Sequence, residues 1–246
     1  MNRYHAPPRD WRESGVLLQG DEARHCLRVM RTGAGESVEV FDGNGRWARG
    51  VVEPRNDRAV LIRTGESGET LSGAPRVRLC LAIPKGKTMD LVVQKAVELG
   101  VAAIQPLLTE RTVVRLKAHH AGKKQERWQR VALEACKQCG QNALPEIHAP
   151  RTFDDWVAGR DSVVPGLVAS LAEGAKPFRS VLAPLQPPPA ELEMLVGPEG
   201  DFSGREMERA LDGGFQPVTL GEITLRVETA VLFCLSVLNY ELKLSI

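Results

Sequence analysis

The period of apolar and polar positions changes once along the chain, near residue 75, and divides the sequence into two parts. Before that point, short alternating runs predict strands at Ser14–Leu18, Ser37–Phe41, Trp47–Glu53 and Ala59–Arg63. Turn residues separate them: Thr32–Gly35, the hairpin signals Asp42-Gly43 and Asn44-Gly45, and Arg55–Asp57. Asp21–Met30 breaks the alternation and reads as a short helix. Leu27 and Met30 would then face a core, with Arg24, Arg28 and Arg31 on one side. Residues 1–70 thus have the layout of a small β-barrel. Gly65–Pro75, rich in Gly, Ser, Glu and Thr, reads as a linker.

Beyond the linker the strands become continuous apolar runs, as in a parallel sheet covered on both faces. Val77–Ile83, a helix over Thr88–Leu99 stopped by Gly100, and Ala103–Leu108 form a βαβ unit. A helix is expected over Gly122–Gln138, and further buried strands at Ser162–Ser170, Met194–Val196 and Pro217–Leu220. Ser203 and Glu206 form a capping box that starts a helix through Leu211, ended by Gly213 and Gly214. Lys176–Pro189 reads as irregular, and Ala230–Leu242 as an apolar helix. The second domain is expected over residues 74–246.

Composition narrows the class. The 246 residues are 43% hydrophobic and 26% charged, ordinary values for a globular protein, and no apolar run is long enough for a membrane span. Met1–His5 carries no apolar export core, and five cysteines are an odd number. Reduced thiols and a cytoplasmic location are therefore expected. Net charge is only +1, so bulk charge does not announce nucleic acid. Local charge is more informative. The first 63 residues carry eleven arginines and no lysine, nearly balanced by acids. A second basic stretch holds Arg111, Arg115, Lys117, Lys123, Lys124, Arg127 and Arg130 around Trp128. It is either a phosphate-facing surface or an ordinary solvated helix face.

Two tempting motifs fail. Gly86-Lys87-Thr88 lacks the first glycine of a P-loop, because Leu81 stands there. Cys136-x-x-Cys139 closes a helix instead of opening one, and no second ligand pair exists for zinc. No metal is expected.

The chemistry gathers in Leu195-Val196-Gly197-Pro198-Glu199-Gly200-Asp201-Phe202-Ser203 and Leu220-Gly221-Glu222-Ile223-Thr224-Leu225-Arg226-Val227-Glu228-Thr229-Ala230. Each is a glycine-bearing turn after an apolar strand and before a helix. Ligands of open α/β sheets bind at such carboxyl ends, so two adjacent turns would floor a small-molecule site. Arg226 interrupts an apolar stretch, where an unpaired charge is costly. Glu228 suits a first helical turn, which is also its purely structural reading.

The order Gly-Pro-Glu-Gly-x-Phe-Ser, then a helix, then Leu-Gly-x-x-x-Leu-Arg-x-Glu-Thr-Ala resembles the SPOUT methyltransferases. Within them it is similar to the ribosomal RNA small subunit methyltransferase E family. His25-x-x-x-Val29-x-Arg31, Gln94-Lys95 with Glu98-Leu99-Gly100, and Glu134-x-Cys136-x-Gln138-x-Gly140 extend the resemblance over nearly the whole chain. Gln141, Val227 and Asp201 depart from it, standing for arginine, threonine and, in many relatives, glycine.

The resemblance implies an α/β fold: a trefoil-knotted parallel-sheet methyltransferase domain preceded by a PUA-like β-barrel. It implies a homodimer that transfers methyl from S-adenosyl-L-methionine to N3 of a uridine in 16S rRNA, free or in the small ribosomal subunit. Another RNA target, a tRNA base or a ribose 2′-hydroxyl, is the alternative, and an RNA-binding module with a dead cofactor site is a third reading. Cofactor contacts are expected from Leu171, Leu195, Val196, Gly197, Pro198, Glu199, Gly200, Leu220, Gly221, Ile223, Leu225 and Arg226. Catalysis is expected from Arg226 and Glu228, with Glu199 a further candidate base. RNA contacts are expected from Arg3, Arg24, His25, Arg28, Arg31 and Arg127.

Overall fold

The computed structural model describes residues 1–56, 58–70, 73, 75–113 and 118–242. They form two compact units, one of residues 1–72 with 133–144, the other of 73–132 with 145–246.

The first unit is built on a six-stranded sheet. Its strands are β1 (Asn2–His5), β2 (Trp11–Arg12), β3 (Gly15–Gln19), β4 (Ser37–Phe41), β5 (Arg46–Asn56) and β6 (Ala59–Glu69), in the order β1-β4-β5-β6-β3-β2. Only the β1–β4 pair is parallel among them. Alternation dictates the core: Val38 and Val40 of β4, Val16 and Leu18 of β3, and Val60 and Ile62 of β6 all turn inward. The edge strand β1 had no alternating signal, because Arg3 as well as Tyr4 is used for packing. Strand β6 continues to Glu69 opposite Arg46, so the first half of the expected linker is strand. Asp57, Leu71, Ser72 and Ala74, parts of an expected turn and linker, lie outside the described residues.

The expected helix over Asp21–Met30 is instead a short α1 (Gly20–Arg24) running into a π-helical turn, His25–Val29. Met30 N–H donates to His25 O, an i→i+5 bond, and Arg31 follows with φ 53°. The wider turn shifts the side chains around the axis. Ala23 and Cys26 are buried, Leu27 packs beside them, and Met30 is exposed rather than in the core.

The second unit holds an all-parallel sheet. Its strands are β7 (Arg76–Ala82), β8 (Ala103–Leu108), β9 (Glu146–Ile147), β10 (Arg151–Thr152), β11 (Gly166–Ala169), β12 (Lys176–Pro177), β13 (Glu191–Val196) and β14 (Phe215–Thr219). Seven run in the order β10-β8-β7-β13-β11-β14-β12, and β9 also pairs with β8. The helices are α2 (Thr88–Glu98), α3 (Ala118–Cys139, whose residues from 133 on belong to the first unit), α4 (Phe153–Ala158), α5 (Phe178–Leu182), α6 (Gly204–Asp212) and α7 (Val227–Leu242). Strand β13 enters between β7 and β11, out of chain order, and brings the ends of β11, β13 and β14 side by side. The continuous apolar runs are explained: Leu79, Cys80 and Leu81 of β7 and Leu192, Met194 and Leu195 of β13 are fully buried.

The expected irregular stretch Lys176–Pro189 contains β12 and α5, because Phe178, Val181 and Leu182 supply an apolar face. Ser203 and Glu206 make the capping box: Glu206 N–H donates to Ser203 Oγ at 3.2 Å and Ser203 N–H to Glu206 Oε2 at 3.0 Å. Among the described residues, no helix is long and apolar enough to cross a membrane.

Candidate functional site

The carboxyl ends of β13, β11 and β14 open into a cavity of about 260 Å³, near the lower end of the roughly 300–1,000 Å³ common for small-molecule clefts. Three chain segments line it: Ala169–Leu171 after β11, Val196–Asp201 after β13, and residues 220–230 leading into α7.

The sequence explains the shape of each wall. Gly197 sits in close packing. A Cβ there would stand 3.1 Å from both the Phe202 ring and Asp201 Oδ1. Pro198–Asp201 is a turn closed by Asp201 N–H to Pro198 O at 2.9 Å. Asp201 holds φ 61°, a conformation that favours glycine, and its Oδ1 accepts from Phe202 N–H at 2.8 Å. Phe202 is buried against Phe153, their rings 5.5 Å apart, and anchors the end of the loop. Gly221 holds φ 110° where the third wall leaves β14. Two large apolar side chains at the cavity stay open to solvent, Leu171 at 55% exposure and Ile223 at 76%.

The structure gathers most of the predicted cofactor residues and leaves some aside. Leu171, Val196, Gly197, Pro198, Glu199, Gly200, Leu220, Ile223 and Leu225 line the cavity. Leu195 does not: it is fully buried in the core between strand and helices, because alternation turns it away. Gly221, Arg226 and Glu228 are also outside the lining. Ala169, Ser170, Asp201, Thr224, Val227 and Ala230 line it without having been expected as cofactor contacts. Their small or polar side chains carry no pattern of their own.

Arg226 is not a buried charge. Its side chain is exposed, and it makes no ion pair among the described residues. It lies between two lining residues, Leu225 and Val227. Glu228 is half-buried in the first turn of α7. Glu199 is the glutamate that lines the cavity, exposed, with Oε1 accepting from Lys85 N–H at 3.3 Å.

The arginines predicted to touch RNA fall into two kinds. Arg3 is only 9% exposed and fully engaged. Its Nε donates to Glu39 Oε1 at 2.8 Å, one Nη to Cys136 O at 2.6 Å, and the other to Asn142 Oδ1. Its guanidinium also lies 4.8 Å from the centre of the Phe41 ring. Arg3 therefore holds the end of α3 and is not a surface contact. Its buried, satisfied charge is invisible in a sequence that places it 133 residues from Cys136. Arg24, Arg28 and Arg31 are exposed, Arg24 in a 3.3 Å pair with Asp21. Arg127 is half-exposed and paired with Asp90 of α2. His25 is half-buried, edge-on to Tyr4 with ring centres 5.9 Å apart.

Ligand atoms of Glu22, His25 and Glu134 lie within 4.8 Å of one another. The positive charge there comes from Lys137, which is buried and bonds both carboxylates. The two-cysteine motif is split: Cys139 is exposed, whereas burial pushes the Cys136 thiol up to about 12. Trp128 faces the core, with the Lys124 ammonium 5.9 Å from its ring centre. Arg115 and Lys117 of the basic stretch lie outside the described residues.

A parallel sheet with a cavity at its carboxyl ends is the common ligand-binding arrangement of open α/β proteins, and similarity to known proteins narrows it to the RNA methyltransferases. A family model described as an RNA methyltransferase domain matches residues 72–239, and one described as an RNA methyltransferase PUA domain matches residues 18–64. The ribosomal RNA small subunit methyltransferase E of Synechocystis is 33% identical over 231 residues, covering 92% of this chain and 73% of that protein. That of Aquifex aeolicus is 35% identical, covering 91% and 93%. The crystal structure of the Neisseria gonorrhoeae enzyme of that name, bound to S-adenosyl methionine, is 30% identical with a TM-score of 0.86, covering 98% of each chain. A methyltransferase of Legionella pneumophila, also solved with that cofactor, is 32% identical with a TM-score of 0.87, covering 98% and 97%. The chain belongs to the ribosomal RNA small subunit methyltransferase E family.

Proposed function

We propose that this protein transfers the methyl group of S-adenosyl-L-methionine to N3 of a uridine in 16S rRNA. The observation that carries the cofactor half is the cavity at the ends of β13, β11 and β14, lined by the turns Gly197–Gly200 and Leu220–Leu225. Glycine turns allow backbone groups to approach an adenine edge. Leu171, Ile223 and Leu225 supply apolar surface for its faces. The residues present therefore fit the group, which when bound supplies an electrophilic methyl on a sulfonium.

This chain's own task is to orient the nucleophile. Uracil N3 carries a proton, so attack needs that proton removed while negative charge spreads to the carbonyl oxygens. Arg226, exposed and without an ion-pair partner among the described residues, is the cation we assign to that charge. Glu199 and Glu228 are the candidate proton acceptors. Glu199 is favoured because it lines the cavity. RNA contacts are assigned to exposed Arg24, Arg28 and Arg31, with half-buried His25 beside them. Arg127 would have to exchange Asp90 for a phosphate.

The proposal includes cytoplasmic action on 16S rRNA or the assembled small subunit, and a homodimer. Support for the dimer is the exposed groove along α7 formed by Leu232, Phe233, Val237 and Tyr240. The barrel and the Gln138-x-Gly140 segment favour rRNA over a tRNA target. Domain limits of 1–70 and 74–246 belong to the same reading.

Mass mapping of 16S rRNA from cells with and without the gene tests the assignment. One N3-methyluridine is expected to vanish and to return with the wild-type gene. An unchanged 16S rRNA would sink the rRNA reading and redirect the search to other RNAs.

A further inference from the structure

The basic stretch after β8 begins with Arg111, which as sequence reads like one more phosphate contact. Its position is different. Strand β8 is separated from β13 only by β7, so the turn after β8 stands near the loop after β13. That turn is rigid. Thr112 N–H donates to Thr109 O at 3.1 Å, Thr109 N–H to Thr112 Oγ1 at 3.0 Å, and the two hydroxyls are 2.7 Å apart.

From this base the turn holds the first turn of α6 through Glu110 and the cavity loop through Arg111. Glu110 N–H donates to Glu206 Oε1 at 2.8 Å. Glu206 is 1% exposed, and its other oxygen accepts from Ser203 N–H in the capping box. Arg205 Nε donates to Glu110 Oε1 at 2.8 Å. Arg111 Nη1 donates to Gly200 O and, at 3.3 Å, to Phe202 O. Gly200 lines the cavity and Arg111 does not.

The loop needs such a hold. Pro198–Asp201 has one internal backbone bond, a glycine at 200 and a non-glycine residue at positive φ. Its unconstrained states are numerous, and ordering them on binding would cost affinity. One guanidinium nitrogen reaching two carbonyls removes part of that freedom in advance, and a lysine ammonium, strongly hydrated on a flexible stem, does so less well.

The geometry points to Arg111 as a positioning residue for cofactor binding: it pins the carbonyls of Gly200 and Phe202 and so pre-forms one wall of the site. This inference rests on the cofactor reading above.

Calorimetric titration of the full chain with S-adenosylmethionine tests it, using wild type, Arg111→Met and Arg111→Lys, with ligand-free Tm measured alongside. Arg111→Met should raise Kd about ten-fold. KM for the cofactor should rise with it while kcat at saturation stays within about two-fold, and Arg111→Lys should recover part of the affinity. Ligand-free Tm should stay near wild type. A wild-type Kd in Arg111→Met would overturn the inference. So would a Tm that falls in step with affinity in both variants, which marks a general structural role. A kcat loss with unchanged KM, or weakened RNA binding alone, would also overturn it. If Arg111→Met does not fold, the same comparison is made on Arg111→Lys against Arg111→Gln. Failure of the wild type itself to bind S-adenosylmethionine would instead remove the cofactor reading.

Discussion

The two ends of the central strands make opposite use of charge. At the amino end of β11 and β14, Glu193 of β13 is 3% exposed and Arg160 2%. Arg160 Nε donates to Glu193 Oε2 at 2.5 Å, its other nitrogens to Gly213 O and Val164 O, and its guanidinium lies 4.3 Å from the Phe215 ring centre. Arg78 donates to Glu193 Oε1 at 2.8 Å. A Cβ on Gly166 would stand 2.7 Å from that Arg160 and from Phe215, so the end is packed shut. At the carboxyl end of the same strands there is a cavity, with exposed Leu171 and Ile223 at its edge and Arg226 nearby without an ion pair among the described residues. A buried charge held by several partners is structure. An exposed one beside a cavity is available for chemistry.

The contrast can be broken from either side. Glu193→Ala leaves Arg160 buried without its carboxylate and should cost about 3–5 kcal/mol in urea unfolding. A loss under about 1 kcal/mol would mean the cluster is not what closes this end. Arg226→Ala should do the reverse. Stability should stay within about 0.5 kcal/mol, while kcat for RNA methylation falls on the order of 100-fold with cofactor affinity little changed. Destabilisation comparable to Glu193→Ala would show Arg226 to be structural after all.

The smallest effect sharpens the comparison by pH. Burial first, and the Glu193 carboxylate second, push the Cys80 thiol at the closed end well above its ordinary 9.0. Its folded-state pKa is raised, so its contribution to stability is full below that ordinary value, which the unfolded thiol keeps. That contribution is lost as pH rises through the folded value. Alkylation of the native protein at about pH 9 should therefore modify exposed Cys139 and spare Cys80, Cys26, Cys136 and Cys234, all buried. Peptide mass mapping reads the result, and early labelling of Cys80 would show the closed end to be open in solution.

Legibility followed the range of the interaction. The capping box at Ser203 was readable because its two partners are three residues apart. Strands Ser37–Phe41 and Ala103–Leu108 were readable because period and turns are local. The glycine turns announced a ligand floor for the same reason. What failed depended on distant partners or on a local irregularity. Met30 was misplaced because a single π-turn changed the phase of its helix. The hold of Arg111 on Gly200 spans 89 residues and left no trace in the pattern.

By itself the sequence determined the change of architecture near residue 75, the buried parallel strands and the two glycine turns, since each is set by neighbours within about one helical turn or strand. Only the tertiary structure decided which charges were spent and which stayed free. Arg3, Arg111 and Arg226 are the same residue type, and their local sequence does not tell their fates apart. One is buried against Glu39, Cys136 and Asn142, one is bound to two loop carbonyls, and one is left exposed beside the cavity. The physical reason is that a guanidinium's cost and use depend on its surroundings in space: β1 and the end of α3 set them for Arg3, and the strand order that brings β13 between β7 and β11 sets them for Arg111 and Arg226.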